Sequence, residues 1–308
     1  MSVLSNCAWK AYRAARVAIR WSGLRKSPAG RACLAGANRA ATSAMHAVLS
    51  ARSRPFLVHG HKMYLANSQS PSLGLALSMM LDHYEPLTTR LLEHVVGPGM
   101  TFVDVGAHVG YFTLLAARLV GPGGRVYAFE PDPSSFALLE RNIALNSHKN
   151  IVPVPRAVSS HSGRATLFLD QRGSDRNTLL PESGRSSSIE IDTVALDEFF
   201  ELECINKVDV LKIAAEGAED QVIRGMTLSA AAGKVRTVVF EFTPFACESS
   251  GTAPSDFLRQ IRDLGFELHQ FGPAGETLPL PDGGFGPLIG AAWSTGSCNL
   301  IASWNRPL

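Results

Sequence analysis

The sequence predicts an α/β protein: a doubly wound, Rossmann-like, mostly parallel sheet, with a basic helical extension at the N-terminal end. Three observations carry this. Thr101–Gly110 (TFVDVGAHVG) reads as a buried strand entering a glycine turn, and Tyr111–Val120 (YFTLLAARLV) as the helix after it. About twenty residues on, a second strand, Val126–Phe129, ends in an acidic residue, Glu130. Beyond it, apolar runs of strand length alternate with helical patterns, as parallel strands covered by helices on both faces require.

The elements follow in order. Phe56–Val58 and Lys62–Leu65 suit a small hairpin, and Glu85–Val96 a helix with Leu87, Leu91, Leu92 and Val95 on its apolar face and Pro86 in its first turn. Gly97-Pro98-Gly99 stops that helix before the strand at 101–105. After Phe129 a helix is expected at about Pro133–Leu145, then a strand near Ile151–Val158. Residues 159–195 read as an inserted hairpin: alternating runs Ala165–Leu169 and Ile189–Val194 flank a polar loop rich in Gly, Ser and Arg. Val208–Ile213 is an apolar strand leading into a helix from about Glu216. Strands at Val235–Phe242, Phe266–Phe271 and Asn299–Trp304 and a helix at Ser255–Leu264 complete the set.

Composition divides the chain. Its 308 residues, 45% hydrophobic, can bury a substantial core, and the net charge of +2 conceals an asymmetry. Residues 1–81 hold eleven Lys or Arg and no acid; the remainder holds eighteen basic and twenty-seven acidic residues. Residues 1–54 form a basic extension, and 55–308 the enzyme-like domain. Within the extension Trp9–Trp21 (WKAYRAARVAIRW) spaces its cations helically, which suits a membrane surface, an acidic partner, an organellar transit peptide or a plain solvated helix. Its charge alone specifies no nucleic acid. No secretory signal is read, and Leu73–Leu81 is too short to span a bilayer. The five cysteines are scattered without a CxxC pair, and His59 and His61 lack a third ligand, so neither disulfide nor metal is expected. A reducing, cytoplasmic setting follows, with membrane association or organellar import as further readings.

The glycine turn specifies a ligand. Gly106 and Gly110 let the backbone turn tightly and let a ligand approach, and Glu130, at the end of the neighbouring strand, can accept hydrogen bonds from ribose hydroxyls. A dinucleotide site would read GxGxxG. Here the pattern is Asp104-x-Gly106-x-x-x-Gly110, with no middle glycine to admit a pyrophosphate and a carboxylate that would repel one. An anion at Asp104 suits a cationic sulfonium, which points to S-adenosylmethionine and leaves NAD a distant alternative. Ala107, His108, Tyr111, Phe112 and Pro131 flank the same turn and join the expected cofactor contacts.

With these motifs in view, Tyr84-Glu85-Pro86, VDVGAHVGYFTLLA, the FEP at Phe129–Pro131, LKIAAEGAEDQVIRG and VFEF resemble, in order and spacing over residues 56–304, the FkbM-type S-adenosylmethionine-dependent methyltransferases. The resemblance implies the class I methyltransferase fold, a seven-stranded sheet with an antiparallel last strand. It also implies methylation of hydroxyls on sugars, glycolipids or other natural products, so the expected partner is a small-molecule or glycan hydroxyl acceptor. Glu85 matches a family glutamate and is expected near the cofactor, or else only near a helix N-terminus.

One departure bears on catalysis. The family pattern K-I-D-x-E-G-A-E reads here Lys212-Ile213-Ala214-Ala215-Glu216-Gly217-Ala218-Glu219, so the acid at 214 is replaced by alanine; His108 stands where Asn is common. A methyl transfer to oxygen depends on in-line positioning and gains from a base. The remaining catalytic candidates are Glu216, Glu241 and Lys212, the last able to orient a carboxylate. Glu216 also fits a helix-capping role, Glu219 a helical surface, and Asn142 and Asn146 helix-surface or end positions. The loop Gly173–Arg185 suits a substrate lid or a solvated loop. The absent acid leaves a second function open: a non-catalytic S-adenosylmethionine-binding regulator or scaffold.

Overall fold

The structure, a computed structural model, describes residues 55–65, 73–80, 83–170, 173–181, 187–272 and 274–304. The expected helix at Trp9–Trp21 and the rest of the basic extension lie outside the described residues.

Strands β1 (Phe56–Val58) and β2 (His61–Met63) form the expected hairpin. The central sheet uses β3 (Thr101–Val105), β4 (Arg125–Phe129), β5 (Ile151–Val154), β9 (Val208–Ile213), β10 (Val235–Phe242), β11 (Phe266–Phe271), β12 (Thr277–Pro279) and β13 (Cys298–Trp304). Their order is β12-β11-β13-β10-β9-β3-β4-β5, and β5, β4, β3, β9 and β10 run parallel. The last strand, β13, inserts antiparallel between β10 and β11. These seven make the expected sheet; β12 adds a short eighth strand at the edge.

Alternation along each strand sends side chains to opposite faces. Val103, Val105, Tyr127 and Phe129 enter one buried cluster, and Phe102, Val126 and Ala128 the other. Helices Tyr111–Val120, Pro133–Asn146, Pro86–Val95 and Leu73–Met80 cover the second face; helices Leu196–Leu202, Pro254–Asp263 and Phe285–Thr295 contribute to the first. Parallel strands buried on both faces explain why Val208–Ile213 is buried at all six positions despite Asp209 and Lys212.

The strand expected near Ile151–Val158 is divided at Pro155, which cannot donate to a ladder. Its second part, β6 (Ala157–Val158), pairs with β8 (Ser187–Val194) in a separate sheet, where β8 and β7 (Gly163–Leu169) form the inserted hairpin. The helix expected from Glu216 begins at Glu219. Glu216 (φ 47°) and Gly217 (φ 100°) are left-handed, which no α-helix tolerates. The residue at the N-cap is Ala218, so Glu216 is not the helix cap.

Candidate active site

The glycine turn is held by the end of the neighbouring strand. The amides of Gly106 and Ala107 both donate to the carbonyl of Phe129, at 3.0 and 2.9 Å. Glu130 fastens the turn from the side: one carboxylate oxygen accepts from the His108 amide at 2.8 Å, the other from the Asp132 amide at 2.9 Å. Burial still pushes its carboxyl up to about 8, against the pull of those two donors. Gly106 is left-handed (φ 76°), and a Cβ there would overlap the carbonyl oxygen of Ala214, so only glycine fits. The result is a cavity whose wall includes Gly106, His108, Glu130, Pro131, Ala214 and Glu216.

The hairpin loop closes over this cavity. A 3-10 turn, Ser174–Arg176, brings Ser174 Oγ within 2.9 Å of His108 Nε2, and Ser135 Oγ donates to the same oxygen at 3.0 Å. Thr178 pairs its backbone with Phe168 in both directions and donates its hydroxyl to the Glu216 carbonyl at 2.6 Å. Desolvation pushes His108 down to about 4, partly opposed by the Asp175 and Asp132 carboxylates; at neutral pH the imidazole that meets Ser174 is uncharged.

Asp104 does not face this cavity. It is fully buried under the turn, accepts the Thr113 hydroxyl at 2.6 Å, and lies 3.6 Å from the Lys212 ammonium. Asp104 and Lys212 are register partners on β3 and β9, which is why they meet. The sulfonium contact expected for Asp104 is thus replaced by an internal ion pair. Tyr111 and Phe112 also turn inward: they pack on each other and on Tyr84, and the Lys212 ammonium lies 4.9 Å from the Phe112 ring centroid. Ala107 belongs to the same buried cluster, and a Cβ on Gly110 would lie 2.7 Å from Leu139, so these residues shape the turn from behind.

A second, polar chamber of about 300 Å³ adjoins the first at Ala214. It is lined by Glu85, Thr88, Lys212, Glu241 and Asn299, among others. Glu85 is the left-handed residue before helix Pro86–Val95 and accepts from the Asn299 amide at 3.0 Å. Glu241, paired with Asn299 across β10 and β13, accepts the Ser297 hydroxyl. A third recess contains both Glu216 and Glu241. The recesses therefore meet along Ala214, Glu216 and Glu241, at the carboxyl ends of parallel strands where α/β sheets bind ligands.

The carboxylates here perturb one another. Glu216 keeps an exposed face toward the recesses, yet desolvation by the surrounding protein, then Glu241, Glu219 and Asp175, pushes its carboxyl up to about 8. Glu219 is not the surface residue expected. It is buried, pushed up to about 7 by burial, and accepts the Ala215 amide at 2.9 Å. Asn142 is likewise not a surface residue: it is fully buried, bonds both backbone groups of Tyr64 beyond the β2 end, and donates also to the Val109 carbonyl in the glycine turn. Asn146 ends its helix as expected.

Comparison with known proteins decides the family. The sequence profile of the methyltransferase FkbM domain matches residues 104–268, more than half of the chain. The chain belongs to the FkbM methyltransferase family. Relatives of this methyltransferase include methyltransferase sdnD of Sordaria araneosa, 26% identical over 54% of this chain and 73% of that one. Hexuronic acid methyltransferase AglP of Haloferax volcanii is 28% identical over 40% of this chain and 48% of its own. The 31-O-demethyl-FK506 methyltransferase FkbM of Streptomyces tacrolimicus is 35% identical over 33% and 34%.

The methyltransferase's cofactor is S-adenosylmethionine, the methyl donor of this family, and the first cavity fits it. Gly106, where a Cβ would strike the Ala214 carbonyl, puts bare backbone into the cavity wall. Glu130 is anchored with lone pairs remaining for ribose hydroxyls, and Val158, Leu167 and Leu179 supply apolar wall for an adenine ring. Among the described residues no group of three or more His, Cys, Asp or Glu side chains could hold a metal, and no helix is long and apolar enough to cross a membrane. The sequence reading missed Ser174, Asp175, Asn177 and Thr178 as individual wall residues. Its only signal was the length of the loop that carries them.

Proposed function

We propose that this methyltransferase transfers a methyl group from S-adenosylmethionine to a hydroxyl oxygen of a small acceptor held in the polar chamber beside Ala214. The observation that carries this is the meeting of that chamber with the glycine-turn cavity at a single small residue, with Glu216 and Glu241 beside it. When bound, the cofactor supplies an electrophilic methyl carbon on a positively charged sulfur. The chain's part is to bind the donor through Gly106 and Glu130, orient the acceptor through Glu85, Lys212 and Asn299, and take the hydroxyl proton at a carboxylate of Glu216 or Glu241. Two relatives named for a hexuronic acid and for 31-O-demethyl-FK506 support an oxygenated acceptor.

Ala214 favours a second reading, in which the protein binds the donor without turning it over. One experiment separates the two: calorimetric titration with S-adenosylmethionine, followed by transfer of a labelled methyl group to a panel of hydroxyl acceptors. Saturable binding with transfer supports the enzyme. Saturable binding without transfer to any acceptor supports the regulator, and absence of binding refutes both.

A further inference from the structure

We propose that the β1–β2 hairpin and the helix ends beside it form a docking face for an anionic lipid surface, continuing the charge of the basic extension that precedes β1. The proposal is independent of which acceptor the enzyme methylates.

The hairpin has an inner and an outer face. Val58, His61 and Met63 are buried, whereas Leu57 and Lys62, which are cross-strand partners, stand together on the exposed side. Leu57 is 71% exposed. Helix Pro133–Asn146 holds the hairpin in place: Asn146 accepts the Lys62 amide at 2.9 Å and donates to the Lys62 carbonyl at 2.8 Å. Earlier on that helix Arg141 lays its guanidinium over the Tyr64 ring, 3.4 Å from the centroid. Just past the helix His148 packs on His61, ring centroids 5.5 Å apart.

The sign of this face is positive. Lys62, Arg118, Arg141 and Lys149 are exposed, and residues 55–65 contain no acid. Glu93 reaches the patch, 3.0 Å from His59 and 3.8 Å from Arg118. Glu140 lies about 200° around its helix from Asn142, the residue that meets the hairpin. His61 and His148 are both pushed down, first by burial and then by neighbours that in each case include Arg118.

Charge and one apolar side chain choose the partner. Residues 1–54, directly ahead of β1, hold ten Lys or Arg and no acid. From residue 82 onward twenty-seven acids outnumber eighteen bases, so an anionic surface repels most of the molecule and admits this side. A nucleic acid would satisfy the charge equally well. Leu57 favours lipid: an aliphatic side chain gains by entering the headgroup and acyl boundary, and it offers neither charge to a phosphate nor a ring to a base.

The test floats the full-length protein with vesicles of phosphatidylcholine alone and with vesicles that add phosphatidylserine. Binding is expected to the second kind only, weakening steeply with added salt. A chain carrying both Lys62→Glu and Arg141→Glu is expected to bind at least about 25-fold more weakly, at about fivefold per cation removed. Leu57→Ser is expected to cost about tenfold and covers the case in which the double variant misfolds. Arg236→Glu with Arg259→Glu makes the same charge change at exposed positions elsewhere and is expected to leave the affinity nearly unchanged. Melting curves and S-adenosylhomocysteine titration should match the parent protein throughout. Absence of binding to the charged vesicles overturns the proposal. So does binding that either hairpin variant, correctly folded, leaves intact, which would assign it to the extension alone. Equal weakening by the two double variants would reduce the effect to net charge and overturn it as well. Tighter binding to a single-stranded RNA than to the vesicles, insensitive to Leu57→Ser, would give the face to nucleic acid instead.

Discussion

The backbone of Gly106 lies against the carbonyl of Ala214 so closely that a Cβ on the glycine would overlap that oxygen. The turn after β3 and the turn after β9 are also joined by the Ala214 amide, which donates to the Val105 carbonyl at 3.0 Å. Gly106→Ala must therefore separate the two turns and hold an unfavourable left-handed φ. The expected outcome is at least a hundredfold loss of S-adenosylmethionine affinity by calorimetry, with a melting temperature several degrees lower.

Glu216 holds its proton at neutral pH because its carboxyl is pushed up to about 8. A base must be deprotonated, so turnover at saturating substrates is expected to climb between pH 7 and 9. Glu216→Gln should lower turnover by about 10²–10⁴-fold and remove that climb, with cofactor affinity little changed. A pH–rate profile of both proteins checks this; an unaltered profile in the variant would assign proton removal to Glu241.

Ala214→Asp restores a carboxylate where the donor cavity and polar chamber meet. At pH 7, where Glu216 is mostly protonated, turnover is expected to rise about tenfold or more. Single-turnover kinetics provide the comparison, and an unchanged rate would show that proton removal does not limit this enzyme.

Stability should fall with pH above neutrality. Glu130 and Glu219 are buried with carboxyls pushed up to about 8 and 7 from an ordinary 4.5. Between those limits the folded chain binds more protons than the unfolded chain, so this stabilisation is complete below about 4.5 and lost as pH rises through 7–8. His61 and His108, pushed down to about 4 mainly by desolvation, act oppositely, losing stability as pH falls from 6.5. The two trends offset each other below pH 6.5, and only the decline remains above it. Thermal melts should therefore show a drop from pH 6.5 to 8.5, reduced in Glu219→Gln.

The loop over the donor cavity is tied at Ser174, to His108 and Ser135, and secondly at Thr178, to the Glu216 carbonyl. Thr178→Val keeps the shape and removes the second tie. Stopped-flow measurement should show cofactor dissociation faster by about three- to tenfold, with the association rate nearly unchanged.

Most of the sheet was legible because buried parallel strands are written as short, predominantly apolar runs: Val126–Phe129 carries no charge, and Val208–Ile213 is interrupted only by Asp209 and Lys212. The glycine turn and Glu130 were legible for the same reason: each follows directly from where such a strand ends. Asp104 was misread because sequence spacing cannot show that its register partner is Lys212, so an acid that looked available to a ligand is already paired. Glu219 and Asn142 were misread because a polar residue in a helix carries no mark of the backbone amide or carbonyl it will meet. Helices Pro244–Ser249 and Phe285–Thr295 were not anticipated: one is too short for a periodic pattern, and the other is apolar on most of its sides.

Six residues other than glycine hold a left-handed backbone among those described, and three of them, Glu85, His108 and Glu216, line the two chambers. Each forgoes about 1–2 kcal/mol relative to a residue without a Cβ. Glycine at any of these positions would relax the chain and erase the side chain the chemistry uses. Selection for heat resistance alone would therefore drift toward a sturdier, inert protein, and directed evolution of this enzyme needs an activity screen at every round.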